Sequence, residues 1–542
     1  MRFSIDIHHD ETYELELIIG RDANRRSRIP VYVDKDAKNF AAYCECLKED
    51  NEELFNVLVG FIGFTVASIV LSRLGDPLRT RKVGVQIEGI LPKYAVGRIE
   101  DILRLFMISR TLPIRYPTKK AKVIISSELT TSRFRFGGDP SKALCSFSGG
   151  IDSTVCLKYL KEQGFSVDTV FFLYEIKNGH SLNELPFELE STRRILDVLR
   201  KRKVEVNHET IDANIIGLTD TPHLTKNSRM TAPSSQAYRY PEFRDIDFWE
   251  YYGRNAFTAS LMLVIGYSKK SKYITLGHTK DCLGVTERED LVLYDQCCQS
   301  IAFIKSFNEI LARTFRREAP ILYAPLINMS KSGIAKYLLS DLELFSLTRS
   351  CINPRKTECG FCFKCHDKIT GLFSTCIPSQ LQIEKEGSSF NIYYQRQRVA
   401  AFKWDCDGSI EEVPLFLCDD NTTRNIGRWA LVWNDLLERY MQNYPQIPSD
   451  LLNSEYSYKS VISSLDNLEK EGKFSVFPIF GLYRKVKKKI SEKKLKGLIE
   501  EYVNADLPIK PSIFLAKANE LFRPRYTNLR DSDEGYSSDS AS

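Results

Sequence analysis

The stretch ALCSFSGGIDSTVCLKYLKEQG (Ala143–Gly164) decides the fold. Its opening, ALCSF, reads as a short buried strand, and DSTVCLKYLKEQG reads as an amphipathic helix closed by Gly164. Between them stand Ser148, Gly149, Gly150, Asp152 and Ser153. The glycines let backbone N–H groups approach an anion, the serines add hydroxyl donors, and the helix start supplies partial positive charge. The stretch therefore reads as a phosphate loop, against the plainer reading of a turn capped by Asp152. It lacks the G-x-x-x-x-G-K-[ST] pattern, so an ordinary P-loop kinase or motor ATPase is not indicated.

Working outward from Lys142, strands alternate with helices. VDTVFFLY, VEVNHETI, KYITLG and PILYAPL read as strands; LESTRRILDVLRKR, NAFTASLMLVIGYSKK and SKSGIAKYLLSD read as helices. That alternation predicts an α/β fold, a doubly wound parallel sheet with helices on both faces and ligands at the carboxyl ends of the strands. Before it, RFSIDI, YELELII and KVGVQI read as strands and RIEDILRLFMIS as a helix, which gives an N-terminal α+β extension over 1–138. The central domain is expected over 139–385. A mainly helical C-terminal domain is expected over 386–526, with IGRWALVWNDLLERYMQ as its clearest helix and a basic stretch at Lys485–Lys496. The serine-rich, acidic tail 527–542 has no apolar periodicity and is expected to be disordered. No internal repeat is present.

With 542 residues the chain is long enough for roughly two to four domains. An apolar fraction of 43% and a charged fraction of 27% describe a soluble globular protein, and a net charge of +6 permits a nucleic-acid partner without arguing for one. The start MRFSIDIHHD has no apolar core behind a basic segment, so a cytoplasmic location with reduced thiols is expected. The segment Leu54–Leu71 is about long enough to cross a bilayer. Asn56, Thr65, Ser68 and its glycines favour instead a buried helix, or one broken near Gly60–Gly63, and no membrane contact.

Fourteen cysteines are present, and four of them, Cys351, Cys359, Cys362 and Cys365, follow the spacing C-x7-C-x2-C-x2-C. Two-residue gaps let successive thiolates converge on one ion, and a distant fourth completes a tetrahedron. Four sulfurs suit Zn²⁺ or an iron–sulfur cluster, and zinc is favoured because no further redox motif accompanies them. His366 is a spare ligand, and the remaining cysteines read as small buried residues. A closed site of this kind is structural.

SGGxDS is the signature of the PP-loop ATP pyrophosphatase superfamily, and its combination with this cysteine cluster resembles the 7-cyano-7-deazaguanine synthase (QueC) family. YGRNAFTAS (Tyr252–Ser260) is similar to the family's P-G-R-N segment, with Tyr252 in place of proline. APLINMSKSGIAKYLL is similar to its proline-leucine, lysine, helix segment, with Lys331 as the match. The resemblance covers Lys142 to about Gly371. It implies ATP, Mg²⁺ and Zn²⁺ as cofactors and release of AMP and pyrophosphate. Ser148, Gly149, Gly150, Asp152, Ser153 and Thr154 would hold the phosphates, with Arg254 and Lys331 as cationic partners and Asp152 among the catalytic groups. The substrate implied is a 7-deazaguanine-type carboxylate, with Gly277, Asp281, Tyr174 and His180 as loosely matching contacts. The departures are a first cysteine gap one residue shorter than the family's, and CLGVTERED where the base-recognition stretch would stand.

The added length at both ends resembles the large QueC-like proteins of anti-phage operons such as the Qat type. A ligase joining the activated carboxylate to ammonia or to an amine of an operon-encoded protein is the expected activity. Synthesis of 7-cyano-7-deazaguanine for queuosine, a tRNA-modifying PP-loop enzyme using the basic stretch, and a nucleotide-sensing scaffold are the competing readings. The nucleic-acid partner is the less favoured.

Overall fold

The computed structural model of the chain describes residues 2–7, 13–18, 26–31, 38–78, 82–109, 122–173, 184–212, 254–279, 285–288, 291–294, 301–316, 319–351, 357–360, 363–375, 380–403, 420–441, 455–471 and 508–514. The N-terminal part begins with β1 (Arg2–Ile7), β2 (Tyr13–Ile18) and β3 (Arg26–Val31), an antiparallel meander. After β4 (Lys38–Asn39) come α1 (Phe40–Asp50), α2 (Glu52–Leu78), β5 (Lys82–Pro92), α3 (Val96–Ser109) and β6 (Lys122–Thr130), with β5 and β6 paired in parallel.

The central elements are β7 (Asp139–Ser146), α4 (Ile151–Glu162), β8 (Ser166–Leu173), α5 (Glu184–Lys201), β9 (Asn207–Asp212), α6 (Arg254–Lys269) and β10 (Ser271–Thr275). They continue through the hairpin β11 (Val285–Arg288) and β12 (Leu291–Tyr294), α7 (Ile301–Thr314), β13 (Ile321–Tyr323), α8 (Lys331–Leu339), α9 (Leu342–Leu347) and α10 (Phe363–Thr375). A second antiparallel meander, β14 (Leu381–Glu386), β15 (Ser389–Tyr394) and β16 (Gln397–Lys403), precedes α11 (Asn421–Met441) and α12 (Tyr458–Lys470).

The principal sheet has the order β13-β10-β7-β8-β9-β4, and every neighbouring pair in it is parallel. This is the doubly wound α/β sheet that the alternating pattern predicts. The chain runs β7, β8, β9 to one side and then returns to lay β10 on the other flank of β7. Loops leaving β7 and β10 therefore diverge, and the crevice between them is where such sheets place ligands. β4 comes from the segment before residue 138 and adds an edge to this same sheet.

The apolar segment Leu54–Leu71 lies within one continuous helix, α2; the structure corrects the alternative of a break near Gly60–Gly63. Leu54, Val57, Leu58, Phe61, Ile62, Phe64 and Val66 are all buried, because α2 packs against β5, α3, α6 and α1. A helix covered on several sides is apolar all round, which is what made the segment look membrane-like. Its hydroxyls are satisfied within the helix: Thr65 donates to the Ile62 carbonyl at 2.9 Å and Ser68 to that of Thr65 at 2.6 Å. Gly60 is required by close approach, since a Cβ there would stand 2.6 Å from the Ile90 carbonyl oxygen of β5. Among the described residues no helix is long and apolar enough to cross a membrane.

Ser389–Tyr394 and Gln397–Lys403 form β15 and β16, so the part after residue 386, expected to be mainly helical, opens with sheet. The IGRWALVWNDLLERYMQ helix is α11. The basic stretch Lys485–Lys496 and the tail 527–542 lie outside the described residues.

Candidate nucleotide site and cysteine centre

The loop after β7 has the shape its composition asked for. Phe147 N–H donates to the Val170 carbonyl at 2.9 Å, which fixes the loop's root to β8. Gly149 then adopts a φ of +70°, in the left-handed region that favours glycine, and Gly150 is the extended N-cap of α4. Space reinforces the choice: a Cβ on Gly149 would lie 2.8 Å from the Thr192 nitrogen of α5. Ser153 and Thr154 hydroxyls donate to the Gly150 carbonyl at 3.1 and 2.8 Å, and Ser148 Oγ lies 3.5 Å from Ser153 Oγ. The first turn of α4 thus presents backbone N–H groups at the carboxyl end of β7, with its own hydroxyls bracing the turn, an anion-binding arrangement.

Two further loops close on it. After β10, a Cβ on Gly277 would lie 3.3 Å from the Ser153 nitrogen, so this glycine backs directly onto the first turn of α4. After β13, Ser330 caps α8 by accepting from Gly333 N at 3.2 Å, and Lys331 opens that helix. Lys331 Nζ donates to Asp152 Oδ2 at 2.6 Å with side-chain exposures of 9% and 22%, so the lysine is a buried partner of the loop and not a solvated charge. Asp152 Oδ1 is buried and has no hydrogen-bond partner among the described residues. An unmet hard oxygen beside a phosphate loop fits a Mg²⁺ ligand.

The expected residues divide accordingly. Ser148, Gly149, Gly150, Asp152, Ser153, Thr154, Gly277 and Lys331 converge on one crevice. Arg254 is the first residue of α6, but its side chain, like Tyr174, His180 and Asp281, lies outside the described residues.

Cys351, Cys359 and Cys365 are buried, and their sulfurs all lie within 4.8 Å of one another. Tetrahedral zinc with Zn–S near 2.3 Å separates sulfurs by about 3.8 Å; Cys359 and Cys365 Sγ stand 3.9 Å apart. The Cys359 N–H also donates to Cys351 Sγ at 3.3 Å. These three thiols fit zinc; Cys362 and the His366 side chain lie outside the described residues. Zinc held here would be structural, cross-linking the loop before α10 to its first turn. Of the cysteines read as buried, Cys44, Cys145 and Cys156 are, and Cys46 is exposed.

Residues that the sequence patterns did not single out bind this centre to the nucleotide loop. Glu358 accepts from Ser350 N at 2.6 Å and Cys351 N at 3.2 Å, and pairs with Lys368 at 2.7 Å; Lys368 also donates to the Thr348 carbonyl at 2.8 Å. Two residues before Cys351, Arg349 N–H donates to the Gly149 carbonyl at 3.0 Å. Ser191 of α5 donates to both the Gly149 and Leu347 carbonyls, at 3.2 and 2.5 Å. On the other side, a Cβ on Gly371 of α10 would lie 2.7 Å from the Lys331 carbonyl oxygen. The cysteine segment therefore touches both halves of the crevice. No spacing rule reveals the links to the crevice, because Arg349–Gly149, Ser191–Leu347 and Gly371–Lys331 join segments distant in sequence. His278, just past Gly277, is 1% exposed with neither ring nitrogen bonded among the described residues, and burial pushes its pKa down to about 3.

A parallel sheet carrying SGGxDS at its topological switch point, beside a buried cysteine cluster, defines a PP-loop nucleotide-binding domain. The comparisons make the class particular. Residues 142–375 match the family model described as queuosine biosynthesis protein QueC. Proteins named 7-cyano-7-deazaguanine synthase are also similar to part of the chain. That of Campylobacter concisus is 26% identical over 234 residues, 42% of this chain and 93% of the relative. That of Methanococcus maripaludis is 27% identical over 235 residues, 41% of this chain and 91% of the relative. The chain thus carries a QueC-like enzyme domain of the PP-loop superfamily, with further residues on both sides.

Proposed function

We propose that the chain uses ATP to adenylate a 7-deazaguanine-type carboxylate and joins the activated carbon to an amine, within an anti-phage system of the Qat type. The observation that carries the ATP step is the buried Lys331–Asp152 pair at the SGGxDS loop, held opposite Gly277. Loop amides and the Ser148 and Ser153 hydroxyls cradle the β,γ-phosphates, and Lys331 neutralises charge as it builds on them. A carboxylate oxygen of the substrate bonds to the α-phosphorus while the bond to the bridging oxygen breaks, and pyrophosphate leaves. The amine nitrogen then bonds to the acyl carbon, AMP departs with the carboxylate oxygen, and the nitrogen loses a proton to solvent or a base. Mg²⁺ at Asp152 Oδ1 would spread the pyrophosphate charge when bound. Arg254 at the start of α6 is assigned as the second cationic partner, and Asp281, Tyr174 and His180 as contacts to the base.

The amine is ammonia or belongs to a protein encoded alongside. The residues before 138 and after 386 are proposed to receive that partner, and the reaction to take place in the cytoplasm. The names of the relatives support one other product, the nitrile of 7-cyano-7-deazaguanine. Incubation with ATP, 7-carboxy-7-deazaguanine and neighbouring gene products separates the outcomes. With ammonium also present, every one of these outcomes releases AMP and pyrophosphate: a protein amine gives a mass increase on a partner protein, ammonia gives the small-molecule amide, and the other reading gives the nitrile. Appearance of ADP and phosphate alone would refute adenylation.

A further inference from the structure

We infer that residues 508–514 are a positioning strap for the loop that carries Lys331. Among the described residues β13 is the edge strand of the principal sheet, and its outer backbone groups have no strand partner there. Asn308 of α7 covers the first of them: its side chain accepts from Leu322 N–H at 2.8 Å and donates to the Leu322 carbonyl at 2.9 Å. The C-terminal segment binds just past the end of the strand. Ile509 N–H donates to the Pro325 carbonyl at 2.9 Å, and the Tyr323 hydroxyl donates back to the Ile509 carbonyl.

Side chains complete the grip. Phe514 sits edge-on to the Tyr323 ring with centroids 5.3 Å apart, and Ile509 and Phe514 are 6% and 2% exposed. Ile513, by contrast, is 41% exposed, so the segment lies across the surface with one face down. Tyr323 is itself fully buried and packs on Tyr273 of β10 at 5.6 Å, which makes it a rigid anchor.

What the strap holds is the turn from Ala324 to Ser330. That turn is built from short backbone bonds, Met329 to Leu326 at 2.8 Å and Ile327 to Ala324 at 3.2 Å, and it ends at the Ser330 cap and Lys331. A displacement at Pro325 is carried through this compact turn to the lysine six residues on. The strap lies beyond residues 142–375, the part shared with the family model. The nucleotide site is thus braced by an addition outside that part. This inference rests on the reading of Lys331 as a phosphate partner, and Ile509, Tyr323 and Phe514 are positioning residues.

The test uses the full chain with Tyr323→Phe, which deletes one hydroxyl, and Phe514→Ala, which deletes the ring. Hydrogen exchange followed by mass spectrometry reads the strap itself, with or without activity. Loss of the Tyr323–Ile509 hydrogen bond is expected to speed exchange across residues 326–334 by roughly fivefold, with α6 unchanged. The Kd for ATP is expected to rise about three- to tenfold in both variants, and Phe514→Leu to restore most of it. Unchanged exchange across 326–334, or faster exchange confined to 508–514, would overturn the strap. Should the parent protein bind no ATP, the phosphate role of Lys331 fails while the exchange result still judges the strap. If Phe514→Ala does not fold, Tyr323→Phe decides alone.

Discussion

Replacing Gly371 by alanine sets two effects of opposite sign against each other. Within a helix the change is favourable by about 1 kcal/mol from propensity alone. The added Cβ would however stand 2.7 Å from the Lys331 carbonyl oxygen and 3.1 Å from its carbon. Ordinary carbon contacts begin near 3.5 Å, so α8 and α10 must separate by roughly 0.8 Å. Backbone cannot rotate aside as a side chain would, and overpacking of this kind costs about 1–3 kcal/mol. We expect a net loss of stability near 1 kcal/mol and a much larger loss of function. The displaced residue is Lys331, and misplacement by about 1 Å can lower turnover by about a hundredfold. Gly97→Ala is the control: it sits in α3 with nothing within 4 Å of its Cβ position, so it should gain a few tenths of a kcal/mol and keep full activity. Denaturant midpoints and AMP release, measured for both variants, settle the matter. A Gly371→Ala protein as stable and as active as Gly97→Ala would refute the claimed contact between the cysteine segment and the nucleotide site.

Other expectations follow from the same geometry. Lys331→Met leaves the Asp152 carboxylate half-buried without its cation and should cost about 1–3 kcal/mol, discounted for partial exposure; Lys331→Met with Asp152→Asn should be less destabilised, and both should lower AMP release at least about a hundredfold. His278 and His208 have pKa values pushed down to about 3 and 4 by burial, against an ordinary 6.5. Above pH 6.5 both are neutral folded or unfolded and contribute no pH dependence. Below it the unfolded chain takes up protons that the folded chain refuses, so stability should fall with pH, by about 1.4 kcal/mol per unit for each histidine. His278→Gln should reduce that slope in urea titrations between pH 6.5 and 4.5. Stripping metal with a zinc chelator, or Cys359→Ser, should lower zinc content and also weaken ATP binding, since Cys351 lies two residues from the Arg349–Gly149 hydrogen bond; retained ATP affinity in a metal-free protein would separate the two centres.

Much of the site is local and was therefore legible. SGGIDS is a continuous run whose glycines and hydroxyls have one economical use between a strand and a helix, and the structure gives Gly149 the positive φ that only such a residue adopts easily. The cysteine spacing is local in the same sense. Lys331 could be named from a resemblance, but not its partner, because 179 residues separate it from Asp152. The segment Leu54–Leu71 was ambiguous for a physical reason: burial, as seen over most of Leu54–Ser68, and immersion in lipid select the same apolar composition.

By itself, then, the sequence determined the alternating α/β pattern, the phosphate loop and the thiol cluster, since each depends on neighbours along the chain. Only the tertiary structure decided which side of β7 receives β10, and so where the crevice opens. It alone joined Arg349 to Gly149 and set Gly371 against Lys331, and laid residues 508–514 beside Tyr323 at the sheet edge. Those contacts arise from packing between distant segments, whose partners are fixed by shape and burial and leave no periodic trace in the order of residues.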